Sequence, residues 1–133
     1  MISPESREHH PGRACTEGAH LAPTVLEAAG LKVPREMQGR SLRELIHGKR
    51  PRNWRTEFFY EHHTLPEKIP MIEGVRGERW KYVRWLQTNP VFEELFDLKN
   101  DPGEKQNLAG QSQHARELRH WQRRWTALSE SLR

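Results

Sequence analysis

"GVRGERWKYVRWL", residues 74–86, decides the fold. Trp80, Tyr82 and Arg84 oppose Lys81, Val83 and Trp85, the period-two alternation of a strand. Ahead of them "RGER" (76–79) supplies a tight-turn signal between two strand pieces, with Gly77 able to take a positive φ. The stretch therefore reads as a hairpin. "EFFYEH" (57–62) reads as a short aromatic-rich strand, and "FEELFDL" (92–98) as a third or fourth one. In that last strand Leu95 and Leu98 are expected to share one side and Phe96 to take the other. Asp97 is placed to bond the backbone of the following turn, where Asn100, Asp101, Pro102 and Gly103 reverse the chain. Glu104 and Asn107 are expected to cap a short helical turn, "EKQNLA" (104–109), with Leu108 tucked beneath it.

Further out, Ala115, Leu118, Trp121 or Gln122, Trp125, Leu128 and Leu132 recur at three- and four-residue steps. They predict a long amphipathic helix with Trp121 and Trp125 against the sheet. Towards the N-terminus, "LAPTVLEAAG" (21–30) predicts a helix with Pro23 at its first position and Gly30 as its stop. A second short helix runs through Leu42, Leu45 and Ile46, with Ser41 and Glu44 as a capping box and Gly48 and Pro51 closing it. Residues 1–20 have almost no apolar periodicity and read as irregular or disordered. The expected fold is α+β: a small antiparallel sheet of three to four strands covered by a long C-terminal helix, with short N-terminal helices and a disordered N-terminus. The expected division is 1–20, then 21–133, made of linker helices over 21–56 and the sheet plus helix over 57–133.

The 133 residues suffice for one ordinary domain. Only 34% are hydrophobic and 30% are charged, with a mean hydropathy of −0.98. Globular domains usually carry about 45–50% apolar residues, so this chain is expected to be marginal alone or to lean on a partner. The net charge is +4 and the pI about 9.6, which favours anionic partners without choosing among them. The basic residues are scattered, which argues against nucleic acid. A single cysteine, Cys15, excludes an intrachain disulfide and a four-cysteine zinc site. No apolar run approaches the roughly 20 residues of a membrane span, and no signal peptide is expected in the N-terminal stretch.

The runs "APT" (22–24), "AG" (29–30) and "GRSL" (39–42), then "RWKYVR" (79–84) and "ELFDLKNDPGEKQNL" (94–108), carry a family pattern. From Leu21 onward the chain resembles the C-terminal region of the type I sulfatases, of the alkaline-phosphatase-like superfamily. That resemblance implies a parent hydrolase of sulfate esters, acting on sulfated carbohydrate. It also implies a formylglycine nucleophile made within a C/S-x-P-x-R motif, and a calcium ion, both in an N-terminal catalytic domain. Here Cys15 is followed by Thr-Glu-Gly and Ser3 directly by Pro4, and no paired aspartates begin a metal site. No catalytic or metal-binding residue is therefore assigned, no cofactor is expected within this chain, and the chain alone is expected to be inactive. The pattern starts abruptly at Leu21, as a frameshift, a misplaced start codon or a truncated assembly would produce.

The resemblance also implies that loops of this region reach the rim of the substrate pocket. His62 and His63 are the candidate substrate contacts, with Glu61 and Arg76 behind them, since imidazole and guanidinium can donate to hydroxyls and sulfates. The plainer alternative is that strand alternation sends one histidine outward and one against the sheet, with neither touching ligand. Trp80, Tyr82 and Trp85 offer either a sugar-stacking platform or, as aromatics of a small sheet more often do, packing. His9, His10 and His20 read as tail residues rather than metal ligands. "RHWQRR" (119–124) reads as the solvated side of the last helix, not a nucleic-acid surface. Asp97, Asn100 and Asp101 lack the EF-hand pattern. Two other functions stay open: a stand-alone polyanion- or glycan-binding module, and a complementing subunit of a split sulfatase whose partner is the separately encoded catalytic domain.

Overall fold

The computed structural model describes residues 18–49, 51–63 and 67–132; the readings of His9, His10 and Cys15 lie outside them. The chain divides into two compact units, Met1–Arg55 and Thr56–Arg133. Among the described residues no helix is long and apolar enough to cross a membrane.

In the second unit, β1 (Glu57–His62), β2 (Ile72–Gly77), β3 (Trp80–Trp85) and β4 (Phe92–Asp97) form one antiparallel sheet in sequence order. The hairpin expected around 76–79 is present, with Glu78 and Arg79 linking β2 to β3. Gly77 serves it differently from expectation. Among the described glycines only Gly30 and Gly48 have positive φ. At Gly77 a Cβ would lie 2.5 Å from Cη2 of Trp121, so the missing side chain makes room for an indole.

The register sorts the side chains into rows. Phe59, Val75, Tyr82 and Leu95 are successive cross-strand partners and form an apolar row on one face. The C-terminal helix α3 (Ala115–Ser131) covers that face. Val75, Tyr82, Leu95, Leu108 and Trp121 are buried there, with Leu118, Trp125 and Leu128 against them. This is the helical stripe read from the sequence, except that Leu132 lies past the helix end and is exposed. Arg124, expected on the solvated side, donates instead to Glu57 of β1. The opposite face holds Val83, Phe96 and Leu98, with Tyr60, Ile72 and Trp85 around them. Leu98 thus joins Phe96, not Leu95 as expected, because positions three apart in extended chain fall on opposite sides.

Past β4 the expected helical turn over 104–109 is absent. Glu104 takes a φ of 53°, which interrupts any right-handed turn. Asp101 holds this irregular segment instead, its Oδ2 accepting from the backbone N–H groups of Lys105 at 2.7 Å and Gln106 at 2.8 Å. Asn107 acts elsewhere. Its Oδ1 accepts from the Leu95 N–H at 3.1 Å and its Nδ2 donates to the Glu93 carbonyl at 3.1 Å, while the Leu108 N–H donates to the Leu95 carbonyl at 2.9 Å. The outer edge of β4 is therefore bonded as though a further strand lay beside it.

Asp97 bonds the following turn as expected. It accepts from the Lys99 N–H at 3.2 Å and from Asn100 Nδ2 at 2.8 Å. Arg79 adds a two-pronged contact at 3.0 and 2.7 Å. The Arg79 guanidinium first, then the backbone N–H groups of Lys99 and Asn100, hold the Asp97 carboxyl below its ordinary 3.8 against the opposing effect of burial. A carboxyl depressed on folding stabilises the fold fully above its unfolded value, and that contribution fades as pH falls through the folded value. Asp97→Asn should thus be less stable than the parent at neutral pH, and the gap should close during an acid titration followed by chemical denaturation.

In the first unit, a 3-10 turn (Gly18–His20) runs into α1 (Leu21–Ala28), and α2 (Arg43–Ile46) follows. α1 begins two residues before the expected start, so Pro23 is its third residue, still in the first turn where no backbone N–H is needed, and Gly30 stops it with a φ of 72°. The Ser41–Glu44 capping box does not form. Leu42 is the N-cap, and Ser41 Oγ accepts only from the Arg43 N–H, at 3.2 Å. His20 is fully buried rather than part of a loose tail: its Nδ1 accepts from the Arg40 N–H at 2.8 Å, and its ring lies 5.0 Å from that of Trp54. Thr24 ties the unit further, donating to the His20 carbonyl and accepting from the Leu42 N–H.

Candidate functional site

On the helix-covered face, next to the apolar row, the register sets Glu61, Glu73, Arg84 and Glu93 side by side across all four strands. Three carboxylates and one guanidinium in one row leave a local excess of two negative charges. The helix stitches this row down. Trp125 Nε1 donates to Glu73 Oε2 at 3.0 Å, and the Arg84 guanidinium lies 3.8 Å from the centre of the same indole. Gln122 donates to both oxygens of Glu93, at 3.1 and 3.0 Å, and the Tyr82 hydroxyl donates to Glu93 as well. Burial, then that bond to Glu93, raise the Tyr82 hydroxyl far above the usual phenol range, so it keeps the proton it donates to Glu93.

His63 follows the end of β1 and closes the row at its open end. Its Nε2 is 3.4 Å from Glu73 Oε1, and its Nδ1 is 4.0 Å from Glu61 Oε2. The Glu73 side chain is only 5% exposed, against 43% for His63 and 59% for Glu61.

The four residues singled out by sequence fall on two faces. Glu61 and His63 come together with Glu73. His62 points the other way, into a row with Ile72, Trp85 and Phe92, and its Nε2 is buried with no hydrogen-bond partner. Arg76 shares that opposite face, beside Phe58 and Lys81, and is exposed. The aromatic trio is divided too. Trp80 and Tyr82 belong to the core under the helix, and Trp85 to the other face, where its Nε1 donates to Glu94 at 2.7 Å. They form no common stacking surface. Glu73, Arg84 and Glu93 were not anticipated. Their signal was the register, which the long connection after His62 leaves undetermined in the sequence.

Calcium and an aldehyde nucleophile do not fit these residues. A calcium ion takes about six to eight oxygen ligands, whereas this row offers two neighbouring carboxylates beside an imidazole and a guanidinium. The chain also contains no C/S-x-P-x-R run. No step of ester cleavage is assigned to the row.

Residues 6–131 match the C-terminal family of N-sulphoglucosamine sulphohydrolase. The chain belongs to the sulfatase C-terminal domains. This sulfatase domain is 37% identical over 106 residues to a Delta 4,5-hexuronate-2-O-sulfatase of Bacteroides thetaiotaomicron, covering 74% of this chain and 20% of that protein. It is 32% identical over 108 residues to an N-acetylglucosamine-6-O-sulfatase of the same organism, covering 77% and 19%. A solved structure of a protein in complex with its substrate, D-glucosamine-2-N,6-O-disulfate, superimposes with a TM-score of 0.69 at 28% identity, covering 84% of this chain and 23% of that one. The chain thus spans about a fifth of the length of these relatives. The family match begins at residue 6, ahead of Leu21, where the resemblance first becomes visible in the residues. Within the sulfatase domain, "RWKYVR" covers Arg79 of the turn and β3 up to Arg84, and "ELFDLKNDPGEKQNL" covers β4 from Glu94 and the segment that closes its edge.

Proposed function

We propose that this chain is the C-terminal part of a sulfuric ester hydrolase acting on sulfated carbohydrate. Its partner is an N-terminal catalytic domain that supplies the formylglycine nucleophile and the calcium ion. The observation that carries this reading is the family match over residues 6–131, together with relatives named for glycan sulfates. In this arrangement Glu61, His63 and Arg76 are the exposed members of the substrate-rim candidates. His62 lies on the Arg76 face with its Nε2 turned inward.

The purified chain is expected not to hydrolyse 4-nitrophenyl sulfate or 6-O-sulfated N-acetylglucosamine. Mixing or fusing it with a formylglycine-bearing catalytic half of the same family should restore hydrolysis of the sugar sulfate. Turnover by the chain alone would refute the proposal, as would a correctly folded pair with no activity.

The pI of about 9.6 supports a second reading, a stand-alone polyanion-binding module. Heparin and an unrelated polyanion of equal charge density would then bind equally, with affinity falling steeply in salt. Several of the cations are already engaged within the fold: Arg79 with Asp97, Arg124 with Glu57, and Arg43 with Glu27 at 3.6 Å.

A further inference from the structure

We infer that Glu61, His63 and Glu73 form a binding site for one divalent transition-metal ion of the zinc type. One nitrogen of His63 and one carboxylate oxygen from each glutamate all lie within 4.8 Å of one another. The spacing of the closer pair, His63 and Glu73, fits such an ion. Zinc sits about 2.0–2.1 Å from imidazole nitrogen and carboxylate oxygen, so two ligands at the tetrahedral angle stand roughly 3.4 Å apart. His63 Nε2 and Glu73 Oε1 are 3.4 Å apart. Glu61 is exposed and needs only side-chain rotation to bring its Oε2 into the third position.

Three further observations point the same way. Glu61 and Glu73 are direct cross-strand partners, an arrangement in which like charges repel unless a cation lies between them. The row contributes two net negative charges even with Arg84 counted, which a divalent ion would balance. The Glu73 carboxylate is almost wholly buried, with Oε2 held by the Trp125 indole N–H and Oε1 directed at His63. That is the outer-sphere bond by which proteins orient a metal-binding carboxylate. The mixed nitrogen and oxygen donor set, with one imidazole, favours zinc, nickel or copper over calcium or magnesium. The ion would join the end of β1 to β2 and, through Trp125, to α3. This inference is independent of the proposed sulfatase role, since it concerns binding rather than turnover.

The test is calorimetric titration of ZnCl2 into the full chain carrying His9→Ala and His10→Ala, which removes the two tail imidazoles. One equivalent should bind, and CaCl2 should give no saturable heat. His63→Ala and Glu61→Gln change exposed side chains, leave the fold intact and should each abolish or strongly weaken binding. Trp125→Phe keeps a ring for Arg84 but loses the indole N–H, and should lower zinc affinity by roughly 10–100-fold. A merely structural tryptophan would change the melting temperature and leave the affinity of the folded protein alone. Zinc binding that survives His63→Ala unchanged, or no one-to-one binding at all, overturns the inference.

Discussion

Trp121→Ala should destabilise the sheet–helix unit by about 3–5 kcal/mol, the usual range for removing a large aromatic from a core. Trp121 is 8% exposed and belongs to the cluster of Val75, Tyr82, Leu95 and Leu108. Its ring also fills the space over Gly77, where no side chain can follow it inward. Truncation therefore leaves a cavity under the centre of α3 that a glycine backbone cannot collapse into. For a unit of this size each kcal/mol lowers Tm by roughly 4–8 °C, so the loss should be plain in a thermal melt. Small domains have only about 5–15 kcal/mol in total, and the lean composition places this one towards the low end. Leu132→Ala is the control. Leu132 is 60% exposed at the end of the same helix, and its loss should stay within about 0.5 kcal/mol. Equal effects of the two substitutions would mean that α3 does not dock through Trp121.

The second large effect is expected from adding one carbon. At Gly74 a Cβ would lie 2.5 Å from Cζ and 2.6 Å from the hydroxyl of Tyr60, and 2.6 Å from the Tyr82 carbonyl oxygen. The Tyr60 ring could swing away, at the cost of its packing beside Val83 and Phe96. The carbonyl has no such freedom, because β2 and β3 are paired from Ile72 to Arg76. Gly74→Ala should therefore cost at least the roughly 1–3 kcal/mol of an overpacked core site, measured as a lower denaturation midpoint. Adding Tyr60→Leu should recover only part of that loss. Full recovery would show that the ring alone sets the limit and that the strand pairing has slack.

The two glycines show where sequence reading stops. The alternation in "RWKYVRW" and the apolar stripe of α3 are local, and both elements are found where those patterns put them. What Gly74 and Gly77 do depends on side chains from other elements, and a turn-based reading of Gly77 finds the hairpin but misses the reason for the residue. Grouping Leu98 with Leu95 by proximity puts it on the wrong side, because strand parity pairs it with Phe96. The 104–109 segment looks helical in composition, yet Glu104 adopts a left-handed backbone, and its carboxylate is the partner of Lys81. Neither the backbone sign nor the partner on β3 is marked in the local sequence. The candidate site divides in the same way. Strand alternation already separates His62 from its neighbours at 61 and 63. Glu73 could not be matched with Glu61 until the β1–β2 register was known, and a buried acid between Ile72 and Gly74 has no helical or turn signature to mark it.

Asn107 carries one more implication, for self-association. Its side-chain amide stands in for a neighbouring peptide group along β4, so that border offers little to an incoming strand at Glu93 and Leu95. Any joining of these sheets edge to edge must then use the far border, at β1. Two copies meeting there would each present a sealed border outward, and accretion would halt at a pair instead of running on into a fibre.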